Sequence, residues 1–166
     1  MALQTSQVTY LQLINMFDQF ASDHYEINNS GSGAMSELVE SQASGEFDFK
    51  NYPMFWVVDD TPLVEFSDGQ MVFNFQIVLG DLAHDKDVKQ NYEAQIKSNL
   101  MLIYQDFLAF LKVDPIVLTN SVRIWNNGAS SGVSFVERFD DNLVGLVFDL
   151  SIKQAIKYNK CEIPTV

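Results

Sequence analysis

One stretch constrains the chain more than any other. From Val88 to Lys112, the apolar residues Val88, Tyr92, Ile96, Leu100, Ile103, Phe107 and Leu111 recur at three- and four-residue spacing, and Met101, Tyr104, Leu108 and Phe110 widen the stripe. That period predicts a single amphipathic helix. About 25 residues rising 1.5 Å each make a rod of roughly 37 Å, long enough to cover a whole sheet. Glu93 and Lys97 form an i,i+4 pair in the favourable orientation. Asp114-Pro115 ends the helix. The segment Asp81-Leu82-Ala83-His84-Asp85-Lys86-Asp87 reads as its opening, with Asp85 as N-cap.

β-forming runs flank this rod on both sides. Tyr52-Pro53-Met54-Phe55-Trp56-Val57-Val58 is dense enough to be buried on both faces, and Pro53 suits a strand start. In Met71–Gly80, Met71, Phe73, Phe75, Ile77 and Leu79 share one face; Val72, Asn74, Gln76 and Val78 share the other, which is mixed enough to meet another chain. Between these runs lies an acidic, turn-rich piece from Asp59 to Gly69. After the rod, Val122–Trp125 predicts a short strand. Val133–Phe139 and Leu143–Ile152, joined by Asp140-Asp141-Asn142, predict a closing hairpin. A first helix is expected over residues 6–24, because Tyr10, Leu13, Ile14, Phe17, Phe20 and Ala21 form one stripe and Thr9 with Gln12 has capping-box spacing. Asn28 to Gly33 breaks that pattern. Residues 28–50 are expected to be a flexible insertion, within which 34–50 is a mobile excursion or a peripheral strand, and 154–166 a tail.

The order helix, strands, long helix, strands predicts an α+β fold: an antiparallel sheet with the long helix and the N-terminal helix on one face and a closing hairpin. A single helix between strands is not a repeating βαβ unit, which disfavours a nucleotide-binding parallel sheet. The 166 residues suit one domain, 1–166.

The charge is lopsided. Net charge is −12, and residues 1–85 hold 13 acids against the single base Lys50, while 86–166 hold 9 of each. Such a chain lacks the clustered Lys and Arg that grip nucleic acid. The asymmetry has two readings beyond solubility: a surface past which DNA moves without sticking, or a dock for a basic partner.

No secretory signal is visible at Met-Ala-Leu-Gln-Thr-Ser, and Leu100–Leu111 is too short and polar to span a bilayer. Cys161 stands alone, so no intrachain disulfide can form, as suits a reducing cytoplasm. The chain carries no phosphate loop, no dinucleotide fingerprint and no nucleophile elbow. Asp81, His84, Asp85 and Asp87 could be read as metal ligands, but a helix opening uses the same residue types. Asp59-Asp60 and Asp140-Asp141 lie in turns that favour Asp without catalysis. No catalytic, cofactor or metal site is expected.

The Tyr-Pro strand 52–58, the strand Met71–Leu79, the long helix and the final hairpin together resemble the tail terminator and tail completion proteins of tailed bacteriophages. The closing segment Phe135–Leu150 is similar to one in virion proteins of crAss-like phages. The resemblance spans roughly residues 6–153, with long departures at 28–50 and 115–131. It implies a structural virion protein without enzyme activity, assembled in the bacterial host cytoplasm. Copies would close into a cyclic ring at the head–tail junction or tail end, against adjacent portal, connector or tail proteins. DNA would pass through without specific binding, and no membrane is involved. On that reading Asp59, Asp60, Glu65 and Asp68 are DNA-channel candidates, and Phe47, Phe49, Trp125, Phe135 and Phe139 are subunit-interface candidates. The alternative is a small acidic binding module or an inhibitor of a basic protein.

Overall fold

The computed structural model describes residues 7–43, 52–59, 64–83, 89–114, 117, 123–124, 132–138 and 142–156. Its element order is α1 (Tyr10–Asp23), β1 (Asn29–Gly33), α2 (Met35–Ala43), β2 (Met54–Val58), β3 (Val64–Ser67), β4 (Gln70–Ala83), α3 (Lys89–Val113), β5 (Arg123–Ile124), β6 (Gly132–Arg138) and β7 (Asn142–Ala155). The fold is α+β, built on one seven-stranded sheet.

Two strands of fourteen residues, β4 and β7, form the centre of the sheet. They pair antiparallel along their whole length, from Gln70 opposite Ala155 to Ala83 opposite Asn142. Each flank is shared by two shorter strands. Beside β4 lie β3 and β2, with β1 outside β2; beside β7 lie β6 and β5. The sheet is mixed rather than wholly antiparallel, because β1 runs parallel to β2.

Strand alternation sorts the side chains. On one face Phe55, Val57, Phe73, Phe75, Ile77, Leu79, Val144, Leu146, Phe148, Leu150 and Ile152 join α1 and α3 in the main core. From α1 come Leu13, Ile14, Phe17 and Phe20; from α3 come Ile96, Leu100, Ile103, Tyr104, Phe107 and Leu111. The expected stripes are the buried ones except at Met101, which is 49% accessible, and at Val88, which lies outside the described residues. Tyr104 stacks on Phe148 with centroids 3.8 Å apart. Thr9 and Gln12 close the expected capping box at the start of α1.

The reverse face holds a second, smaller cluster. Leu38 of α2 packs with Tyr52, Met54, Val58, Val78, Leu82 and Leu143. Helices therefore lie on both faces of the sheet, α1 and α3 on one and α2 on the other. The long helix and the N-terminal helix share one face as expected, and the helix on the other face is an addition: 29–33 is a strand and 35–43 a helix, against the expectation of a flexible insertion over 28–50. The physical reason is Trp56. Its indole lies over Gly31 in the neighbouring strand, where any Cβ would collide with the ring. Glycine is needed for that close approach, and the parallel partner overrides the weak β-propensity of Asn-Ser-Gly-Ser-Gly.

Two further boundaries move. Asp81, Leu82 and Ala83 extend β4 rather than open α3, because β7 continues opposite them and Leu82 faces Leu143. The expected N-cap Asp85 lies outside the described residues. β7 runs past the expected tail boundary at 154. Gln154 is the buried polar residue of the core. Its Oε1 accepts the Val8 N–H at 2.9 Å and its Nε2 donates to the Val8 carbonyl at 2.7 Å, tying the segment before α1 to the last strand.

Candidate functional site

The described end of the acidic piece, Val64–Gly69, forms a hairpin with β4. Ser67 pairs with Gln70, leaving Asp68-Gly69 as a two-residue loop. Both residues have positive φ, 49° and 73°. That is the geometry of a type I′ turn, for which Asp-Gly is a preferred pair. Asp68 is thus at the tip for a conformational reason and stands exposed there. Glu65 is exposed two residue pairs further back, opposite Val72, and accepts a hydrogen bond from Asn74 Nδ2 at 3.1 Å.

The other two channel candidates fare differently. Asp59 is half-buried and accepts the Tyr10 hydroxyl at 2.7 Å, joining the end of β2 to the start of α1. Asp60 lies outside the described residues. Burial, then the hydrogen bond and charge of Asp59, push the Tyr10 hydroxyl from 10.0 up to about 12. Because the folded value lies above the unfolded one, this contribution to stability is complete below pH 10.0 and falls away as pH rises through about 12. Melting temperature measured across that window should drop less in Tyr10→Phe than in the parent, since Phe keeps the stack on Phe75 and has no proton to lose. Equal drops would remove Tyr10 from the account.

The reverse face divides into two halves along β4 and β7. Its apolar half lies under α2. The other half carries Val72 opposite Lys153, Asn74 opposite Ser151 and Gln76 opposite Asp149. Ser151 Oγ donates to Asn74 Oδ1 at 2.8 Å, and Gln76 Nε2 donates to Asp149 Oδ1 at 3.1 Å. Glu65, Asn74 and Ser151 thus form one chain of hydrogen bonds across three strands. Asp149 joins the acidic hairpin on this face. Sequence reading passed it over, although its alternate position between Phe148 and Leu150 marks it as pointing away from the core.

Of the interface candidates, Phe135 alone is described. It packs on the second cluster, with its ring over Gly145. Phe47, Phe49, Trp125 and Phe139 lie outside the described residues. Large apolar side chains that do stand exposed include Phe66 on β3, 70% accessible, and Val133 on β6, 64% accessible.

His24 caps α1 and is buried between elements. Its Nδ1 accepts the Glu26 N–H at 3.3 Å, which leaves Nε2 to carry the hydrogen toward Asp106 Oδ2 at 3.4 Å. This is a bridge from α1 to α3, with Phe20 against the ring. Among the described residues no group of three His, Cys, Asp or Glu could hold a metal ion, and no helix is long and apolar enough to cross a membrane.

No protein-family model matches the chain, and no curated protein matches it.

Proposed function

We propose that this chain is a structural virion protein of a tailed bacteriophage, a subunit that closes into a ring around the DNA channel at the head–tail junction or tail end. The observation that carries the reading is the hairpin β3–β4. It holds Glu65 and Asp68 exposed on a paired hairpin, in a chain half whose net charge is −12. Carboxylates fixed along a channel repel the phosphate backbone, so DNA slides through without adhering. The element order and the closing segment 135–150 support the same reading through their resemblance to tail terminator and crAss-like virion proteins. The neighbours would be further copies and the adjoining portal, connector or tail proteins, and the protein would be assembled in the host cytoplasm.

The hairpin geometry selects the variant that tests this. Asp59 anchors Tyr10 and Asp68 occupies a left-handed turn position, so reversing either disturbs the fold. Glu65→Lys reverses an exposed charge at small structural cost; Asp68→Asn keeps the turn. Particles carrying both substitutions should assemble normally and release DNA several-fold more slowly, because the change repeats around the ring. Unchanged release would remove the channel role. A stable monomer forming one-to-one complexes with a basic protein would favour an acidic inhibitor instead.

A further inference from the structure

Four strands have an outer edge with no partner strand among the described residues: β1 beyond β2, β3 beyond β4, and β5 and β6 beyond β7. The two longest are β6, of seven residues, and β1, of five. Folded proteins commonly guard such edges with Lys, Pro or a bulge. β1 reads Asn-Ser-Gly-Ser-Gly and carries neither Lys nor Pro. β6 leaves Val133 exposed. We propose that β1 of one copy pairs antiparallel with β6 of a second copy, so that the sheet continues from subunit to subunit.

Strand direction comes first. β2 runs opposite to β4, and β1 runs parallel to β2. β7 runs opposite to β4, and β6 opposite to β7. β1 and β6 therefore point in opposite directions. Rotation about an axis along the strands preserves direction, so β6 of one copy meets β1 of the next in the antiparallel sense.

Level comes second. Gly31 is aligned through Trp56, Val78 and Val147 with Val133. Ser30 is aligned through Phe55, Leu79 and Leu146 with Ser134. The two edges thus occupy the same height on the sheet.

Side-chain chemistry comes third. Val133 and Phe135 stand on the reverse face, the face on which the Trp56 indole lies over Gly31. Ser30 and Ser134 stand on the opposite face, both exposed. Joining the edges sets apolar side chains beside Trp56 on one face and hydroxyls beside hydroxyls on the other, and cross-strand pairs of like chemistry stabilise a sheet.

Each joint is short, limited by the five residues of β1. One joint of that length falls short of the roughly 1,000 Å² that a lasting interface buries. Closure changes this, because every subunit in a ring makes two joints. The pairing deepens the ring reading and rests on it for closure.

The test uses the full chain with Cys161→Ser, so that no native thiol remains, plus Ser30→Cys and Ser134→Cys. Within one molecule four strand spacings, roughly 19 Å, separate these positions, too far for a disulfide. Oxidation at high protein concentration should give a ladder of dimers, trimers and larger species, while a mixture of the two single-cysteine variants should stop at dimers. Adding Val133→Lys should abolish the ladder and leave the far-ultraviolet circular dichroism unchanged. Monomer alone after oxidation, or a ladder that survives Val133→Lys, overturns the pairing. Negative-stain images separate the two ideas. A ladder whose members form open chains keeps the pairing and removes the ring. Closed rings that form without the disulfide and ignore Val133→Lys keep the ring and remove the pairing.

Discussion

Phe107→Ala should cost about 3–5 kcal/mol of folding free energy, the usual range for truncating a buried Phe. Phe107 is fully buried on α3. Its ring lies 5.1 Å from Phe20, 5.2 Å from Phe55 and 5.4 Å from Phe17. It therefore touches α1, α3 and the sheet at once, with edge-on contacts that add to the area it removes from water. A domain of this kind has about 5–15 kcal/mol in total, so the variant should be marginal at room temperature. Urea titration gives the measure: the midpoint should fall sharply while the slope stays near the parent value. A loss under about 1 kcal/mol would mean that the two helices and the sheet do not meet at this ring.

Gly145→Val should be the most damaging single change in the sheet. Gly145 lies on β7 opposite Gly80 of β4 on one side and Phe135 of β6 on the other. A Cβ there would collide with the Phe135 ring and lie 2.7 Å from the Leu79 carbonyl oxygen. The ring can rotate away; the carbonyl belongs to a central strand paired on both sides and cannot. We expect a loss of about 3 kcal/mol, at the upper end of overpacking costs. Gly145→Ala combined with Phe135→Ala separates the two contacts: recovery should be partial, because the clash with Leu79 persists. Full recovery would assign the whole cost to Phe135.

What could be read from the sequence follows the strength of periodic and local signals. α3 falls within a residue of its expected ends because its stripe repeats over many turns. α1 starts where Thr9 and Gln12 place it. The hairpin β3–β4 turns at Asp68-Gly69, a pair with its own backbone chemistry. β1 was not legible as a strand, because its role is to leave room. Its glycines admit the Trp56 indole, and that demand lives in another part of the chain. α2 offers Leu38 as its one described fully buried contact, too little pattern to fix a helix or the face it covers. Asp81 reads as a helix opening because Asp suits a cap, whereas it stands half-buried at the end of β4, and only the length of β7 opposite decides. The acidic hairpin was legible as a charge cluster, yet the distinct tasks of Asp59 and Asp68 depend on Tyr10 and on φ, neither visible in composition.

The register of β4 against β7 also has a consequence for synthesis. A ribosome delivers β4 and the whole of α3 before residue 142 exists. During that interval the long inner edge of β4 is exposed, and such an edge recruits other chains. The segment already made then carries all 13 acids of residues 1–85 and, through residue 113, 16 acids against 5 bases. Mutual repulsion keeps nascent copies apart until β7 arrives to fill the gap. Front-loaded negative charge thus favours separation of nascent copies of a sheet whose middle is completed last.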